Sequence, residues 1–378
     1  MVNFDKNEID YKSGVLNTGN LYIWKNLFDK AKSKKELNVG FLGGSITQGS
    51  LASSESNTYV SKFSQKLKEE LNLNEINFIN AGIGATDSHF GVARVGYDLL
   101  RHDLDLIIIE FSVNDDENDF YLETYEGLLR RIISFNPEIT ILLLHNVEYS
   151  SGRTAERIHS KLARHYNLTS VSMKDSVYKY LKDNDLLEAV SEDGLHPNDL
   201  GMELISELLL SFIQDVRRKV ATYSGTELYN CLKEPITKNR YENSIIFNQK
   251  NSEPKLNGFK PMQLEKEAIK DVFKGGWYSQ EKGSKINFNI WGKDIYAQFK
   301  KTIIQPAPIL NYKIYSKNEK LIVSGQLDAN FDETWGDKLF IQELVSGLEL
   351  AEYKVEFEID SETAGLKAPF ELISLIVN

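Results

Sequence analysis

Val39-Gly-Phe-Leu-Gly-Gly-Ser-Ile-Thr-Gln-Gly49 decides how this chain reads. Val39, Phe41 and Leu42 form an apolar run of strand character. Gly43 and Gly44 permit a sharp turn through backbone angles that side chains resist. Ser45 then falls where the strand stops and a helix should begin. Such a corner presents a hydroxyl to solvent with unpaired backbone N–H groups beside it, the layout of a nucleophile and its oxyanion donors. By itself, a glycine-flanked serine reads equally as a structural turn. What separates the two is whether the chain also supplies a base, an acid to orient it and further donors.

Outward from this stretch, strands and helices alternate. Leu21, Trp24, Leu27, Phe28 and Ala31 are spaced for one helical face over 21–34, ahead of the strand at 37–42. A serine-rich loop leads to an N-cap at Asn57 or Thr58 and a helix carrying Tyr59, Phe63, Leu67 and Leu71. A strand over 76–79 ends in Asn80-Ala-Gly-Ile-Gly-Ala-Thr-Asp87. Leu106-Ile-Ile-Ile109 reads as a central parallel strand, apolar on both faces, and ends at Ser112-Val-Asn-Asp115. A helix at 122–134, a strand at 139–144 ending at His145, a helix at 154–166 and a strand at 168–172 follow. A helix over 200–219 has Leu204, Leu208, Phe212 and Val216 in register. Residues 1–20 read as irregular. The alternation predicts an α/β fold: a parallel sheet with helices on both faces and functional groups at the strands' C-terminal ends.

The pattern changes after residue 222. Residues 223–255 read as a polar connection. From 256 onward helices disappear. Lys285-Ile-Asn-Phe-Asn-Ile-Trp291 alternates strictly, Gly292-Lys-Asp294 reads as a hairpin turn into 295–300, and short strands follow at 311–315, 338–344, 352–359 and 370–377. The expected domains are therefore 1–222, the connection, and an antiparallel β-sandwich or jelly roll over 256–378.

The 378 residues carry a net charge of -11, which speaks against nucleic acid or an anionic membrane as partner. No run of about 18 apolar residues occurs, so no membrane span is expected. The single cysteine, Cys231, excludes an internal disulfide and a cysteine-based zinc site. The polar, acidic start lacks the pattern of a signal peptide, so a cytoplasmic location is expected, with secretion left open if a leader was removed.

All six histidines, at 89, 102, 145, 159, 165 and 196, precede residue 222. His196 stands in Asp193-Gly-Leu-His-Pro-Asn198. A carboxylate three residues back can reach one ring nitrogen and leave the other free as a base. The plain alternative is an Asp-Gly turn beside an exposed histidine. Asn114, at the end of a buried strand, can offer its amide to a developing oxyanion, or can simply start a turn. Gly82-Ile-Gly-Ala85 exposes backbone N–H after another strand.

These four stretches, in this order, resemble the SGNH (GDSL-type) hydrolase family over about residues 37–215. The resemblance implies a flavodoxin-like domain and an acyl-serine mechanism without metal or cofactor. Ser45 would be the nucleophile, His196 the base and then acid, and Asp193 its orienting partner. Ser45 N–H, Gly84 N–H and the Asn114 amide would form the oxyanion hole. Three departures stand out: Gly44 replaces the aspartate of Gly-Asp-Ser, Ser112 replaces the first glycine of Gly-x-Asn-Asp, and the register leaves Gly84 or Ala85 as donor.

The rest reads more plainly. Gly43 to Gly49 lacks the Gly-Lys-Ser/Thr of a phosphate loop. His159 and His165 lie six apart and do not share a helix face. His145 reads as structural, or else as pocket lining; His89 and Arg94 follow the glycine block and could touch substrate, but neither is taken as a site residue. Asp115, Asp116, Glu117 and Asp119 read as a solvated loop. Trp277, Tyr278, Trp291 and Trp335 read as mostly sandwich core, with sugar stacking as the alternative. The expected activity is hydrolysis of small O-acyl esters, acetyl first, on a small molecule or saccharide. Other esterases, a lipase, a thioesterase, an acyltransferase and a non-catalytic carbohydrate-binding protein are the alternatives. A homo-oligomer is compatible with the sequence.

Overall fold

The computed structural model describes residues 5–225, 229–263, 275–333, 336–360 and 366–378. The chain divides into two compact units, Met1–Glu242 and Asn243–Asn378. Within the segment expected to connect domains, Arg240 pairs with Glu123 in the first unit, whereas Ile245–Phe247 joins a sheet of the second.

Among the described residues, the first unit is built on a six-stranded sheet of β1 (Val15–Asn17), β2 (Glu36–Gly43), β3 (Glu75–Gly82), β4 (Leu106–Glu110), β5 (Thr140–His145) and β6 (Thr169–Ser172). Its order is β1-β6-β5-β4-β2-β3. Strands β2 to β6 run parallel; β1 is antiparallel to β6. This corrects the expectation of irregular structure over residues 1–20. The segment is too short and polar for a periodic signal. It is ordered instead by pairing with the open edge of β6, and by Asn17 Nδ2 donating to the Leu168 carbonyl at 2.7 Å.

Among the described residues, the α-helices are α1 (Leu21–Lys34), α2 (Ser45–Gln48), α3 (Tyr59–Glu70), α4 (Ser88–Val95), α5 (Asp119–Phe135), α6 (Glu156–Tyr166), α7 (Lys179–Asp183), α8 (Leu187–Val190) and α9 (Asp199–Ala221). Helices α1, α3 and α9 pack together. They bury Trp24, Tyr59, Phe63, Leu204, Leu208 and Phe212 with Val39, Phe41, Leu106, Ile108 and Leu142 of the sheet. Ile107, Ile109 and Leu143 alternate to the other face and are equally buried; α4, α5 and α6 form that second layer. Sequence periodicity assigned no element to 88–103, because every residue of α4 is buried and the helix has no polar face to reveal it. No helix among the described residues is long and apolar enough to cross a membrane.

The chain passes from β2 to β3 on one side, then crosses to β4 on the other side of β2. That reversal opens a crevice at the carboxyl ends of β2 and β4. Ser45 directly follows β2, and Asn114 lies just beyond β4.

The second unit is a sandwich of two antiparallel sheets. One has the order β14 (Leu321–Asp328), β13 (Ile309–Ser316), β16 (Ala351–Ile359), β11 (Lys285–Gly292), β8 (Lys255–Asn257). The other has the order β15 (Lys338–Val345), β12 (Ile295–Lys301), β17 (Phe370–Val377), β10 (Trp277–Ser279), β9 (Lys260–Pro261), with β7 (Ile245–Phe247) also on β17. The hairpin expected at 292–294 is corrected: β11 pairs with β16 and β8, while β12 pairs with β15 and β17. The short link crosses between sheets, so Ile286, Phe288 and Ile290 join Ile295, Ala297 and Phe299 in one core. Trp277 is in that core at 2 % exposure, but Tyr278 and Trp291 are 38 % and 61 % exposed, so the expectation of mostly core holds only for Trp277. Trp335 lies outside the described residues.

Candidate active site

The turn after β2 has no room for side chains. A Cβ on Gly43 would lie 2.2 Å from Thr47 Oγ1, and one on Gly44 would lie 2.2 Å from Asn114 Oδ1. In this chain Asn114 therefore occupies the space that a side chain at 44 would need. Gly44 N–H donates to the Glu110 carbonyl at 3.3 Å, tying the turn to the end of β4. Ser45 opens α2 and is 7 % exposed.

His196 arrives from the loop before α9. Asn198 caps that helix, accepting from Leu200 and Gly201 N–H at 3.1 and 3.2 Å. Gly194 has φ 74°, and its carbonyl accepts Ser150 N–H at 2.8 Å. The positive φ favours glycine here. The loop brings His196 Nε2 to 2.8 Å from Ser45 Oγ and His196 Nδ1 to 2.7 Å from Asp193 Oδ2. Asp193 Oδ1 accepts the N–H groups of Leu195 and His196 at 2.9 and 2.7 Å. Partial burial raises the Asp193 carboxyl, but hydrogen bonds from the His196 ring and the two N–H groups outweigh it and leave it below its usual range. With Nδ1–H donated to the carboxylate, Nε2 is left to accept a proton from the serine.

Across the crevice, the turn after β3 sits against α2. Asn80 Nδ2 donates to the Thr47 carbonyl at 2.9 Å. Gly84 N–H donates to Gln48 Oε1 at 2.5 Å, so the donor preferred from the sequence is already engaged. The N–H groups of Ser45 and Ala85 carry no hydrogen bond among the described residues. Gln48 carried no functional reading in the sequence. Its signal was its place one helical turn after Ser45, on the same side of α2.

Beneath the crevice lies a buried polar layer. Arg94, 2 % exposed, donates to the carbonyls of Ala81 at 2.6 Å and Gly43 at 3.1 Å and pairs with Asp98 at 2.7 Å. It is therefore a strut between the ends of β2 and β3 and not a substrate contact. Ser112 Oγ donates to the Asn146 carbonyl at 2.9 Å, tying the ends of β4 and β5 together where the family pattern has glycine. Asp115 is 1 % exposed, which corrects the reading of a solvated loop; Asp116, Glu117 and Asp119 are exposed. Asp115 accepts Ser88 N–H at 2.9 Å and lies 3.0 Å from His159 Nε2. The His159 ring stacks on Tyr125 at 3.6 Å between centroids. Burial pushes His159 down to about 3 and lifts Asp115 well above its usual range. Burial also raises Glu110 to about 7.

The remaining histidines stand apart from Ser45. His145 is fully buried, and burial holds it well below its usual range. His89 is 1 % exposed, edge-on to Phe120 and Tyr241, which removes it as a substrate contact. His102 is exposed, and His165 Nε2 lies 2.9 Å from the Glu234 carbonyl. Among the described residues, no three His, Cys, Asp or Glu side chains are grouped to hold a metal ion.

Ser45 after β2, with His196 and Asp193 from the loop before α9, forms a Ser-His-Asp array on a mostly parallel sheet, and similarity to known proteins makes the chain a carboxylic ester hydrolase. More narrowly, the chain belongs to the GDSL-like lipase/acylhydrolase family, which it matches over residues 41–204. Two solved structures of a two-domain esterase (CEX) active on acetylated mannans are similar along almost the entire chain. The one co-crystallized with mannopentaose is 38% identical, with a TM-score of 0.88 over 98% of each chain. The other is also 38% identical, with a TM-score of 0.89 over 98% of each chain. No curated protein matched the chain.

Proposed function

We propose that the chain is a serine esterase that removes O-acetyl groups from a carbohydrate, with acetylated mannan as the first substrate class. The carrying observation is the 2.8 Å approach of His196 Nε2 to Ser45 Oγ, with Asp193 on the other ring nitrogen at 2.7 Å. The substrate class rests on the 38% identity, over 98% of both chains, to the esterase active on acetylated mannans.

In this reading Ser45 Oγ attacks the acetyl carbonyl carbon as His196 Nε2 takes its proton. The carbonyl oxygen becomes an oxyanion held by Ser45 N–H, the Asn114 amide and a backbone N–H of the 84–85 turn. Ala85 is favoured as that donor, since Gly84 N–H is directed to Gln48. The tetrahedral intermediate collapses, His196 protonates the departing sugar oxygen, and acetyl-Ser45 remains. Water then attacks with His196 again as base, releasing acetate and restoring the serine.

The test is acetate release from acetylated mannan, beside p-nitrophenyl acetate, butyrate and octanoate, with wild type and Ser45→Ala. The expected result is acetate release and p-nitrophenyl acetate turnover, both abolished in the variant. A preference for octanoate with no release from mannan overturns the substrate; turnover that survives Ser45→Ala overturns the mechanism.

A further inference from the structure

From Gly82, the last residue of β3, onward, successive N–H groups are directed one by one to named acceptors. Gly82 N–H goes to Asn80 Oδ1 at 2.9 Å, Ile83 N–H to the Gly43 carbonyl at 3.1 Å, and Gly84 N–H to Gln48 Oε1 at 2.5 Å. The next, on Ala85, is the first with no acceptor among the described residues. Ala85 also has φ 55°, a left-handed conformation that a residue with a side chain adopts only when its surroundings hold it there. Thr86 Oγ1 closes the turn from behind, donating to the Ile83 carbonyl at 2.6 Å.

The anchor nearest Ala85 is the Gly84 bond to Gln48. Gln48 is 5 % exposed and ends the short helix that Ser45 begins. The same helix touches the turn directly, since a Cβ on Gly82 would lie 2.2 Å from Gln48 N. One side chain therefore joins the element bearing the nucleophile to the turn bearing the unengaged N–H.

We infer that Gln48 is a positioning residue of the oxyanion hole: by holding Gly84 N–H, its side-chain oxygen turns Ala85 N–H toward an acyl group on Ser45. The inference rests on the acyl-serine reading above. In the rival arrangement Gly84 N–H is itself the donor and Gln48 merely occupies it until substrate arrives.

The experiment uses the full chain with p-nitrophenyl acetate, comparing wild type, Ser45→Ala, Gln48→Met and Gln48→Glu. Methionine keeps the length of the side chain and loses the acceptor. The expected result for Gln48→Met is a fall in kcat of roughly 10- to 100-fold, with KM and Tm nearly unchanged, since a misaimed donor costs part of what a deleted one does. Glutamate keeps an acceptor oxygen but adds a charge where the oxyanion forms. Gln48→Glu should approach wild-type kcat at low pH, where the new carboxyl is neutral, and lose it as pH rises and the carboxyl ionises. The loss at high pH reports the added charge; the recovery at low pH, which restores only a neutral acceptor oxygen that methionine lacks, separates holding of Gly84 N–H from mere packing. Gln48→Met with wild-type or faster kcat overturns the inference, and so does Gln48→Glu with the wild-type pH profile, which alone decides if the methionine variant does not fold. A wild type with no Ser45-dependent turnover removes the acyl-serine reading itself, and the inference with it. Ser45-dependent turnover with an indifferent Gln48 removes only the inference.

Discussion

Asp193 meets His196 twice: Oδ2 lies 2.7 Å from ring Nδ1, and Oδ1 accepts the histidine's own backbone N–H at 2.7 Å. One carboxylate thus sets both the ring's tautomer and the loop that carries it. Asp193→Asn would present an N–H to Nδ1 and favour the tautomer that has its proton on Nε2, where the base must be free. The expected outcome is a loss of kcat of about 1000- to 10,000-fold on p-nitrophenyl acetate, with a far-UV circular dichroism spectrum unchanged from wild type.

Asn114 and Gly44 compete for the same volume, with 2.2 Å between Asn114 Oδ1 and any Cβ on Gly44. Asn114→Ala should lower kcat by about 100- to 1000-fold with KM little changed, as expected for a contact made in the transition state. Gly44→Asp, which restores the family's usual residue, should also lower kcat here by displacing Asn114. Steady-state kinetics on both variants check the pair.

Arg94 is expected to act on stability before chemistry. Arg94→Met leaves the Ala81 carbonyl without its bond from the guanidinium and weakens the hold on Gly43. The expected cost is about 3 kcal/mol, a fall in Tm of roughly 6–12 °C for a unit of this size. Lysine should recover only part of it, because a single ammonium does not reproduce the planar fork. Thermal unfolding is the measurement. An unchanged Tm with lost activity would overturn the structural role.

Glu110 gives a pH dependence with a definite sign. Burial raises its carboxyl from 4.5 to about 7, so between those values the folded state binds more protons than the unfolded state. Stability therefore falls as pH rises from 4.5 to 7 and is level, for this group, above that. The full effect is about 3 kcal/mol. Glu110→Gln should flatten this slope. Denaturant unfolding at pH 5 and pH 7.5, compared between wild type and variant, measures it.

Much of the architecture was legible in the chain because apolar spacing matched element type. Helix α1 follows the periodicity of Trp24, Leu27 and Ala31, and β4 follows its unbroken apolar run. Ser45, Asp193 and His196 were legible because each stands in a short stretch with its own glycine or proline punctuation. The misses have common physical causes. Val15–Asn17 is a strand only because β6 offers an edge, and α4 is hidden because it is buried on every side. Asp115 looked solvated because nothing local announces a histidine placed 44 residues further on. The Gly84 hydrogen bond was invisible for the same reason: its acceptor is a side chain on another element. The 292–294 link looked like a hairpin because alternation records which side chains are buried, not which strand lies alongside.

Strand β17 pairs with β12, β10 and β7, so the second half of the chain makes its last strand the seam of a whole sheet. None of those three partners is its neighbour in sequence, and β12 begins at Ile295, long before Phe370. Assembly of that half is consequently non-local and slow to nucleate. During synthesis, the earlier strands must remain unsealed until residues 370–377 emerge, while the first half already holds every strand of its own sheet. A chain lacking those residues would have that sheet split, with β12 and β10 each left unpaired on the side β17 covers, and aggregation is the expected fate of such a product.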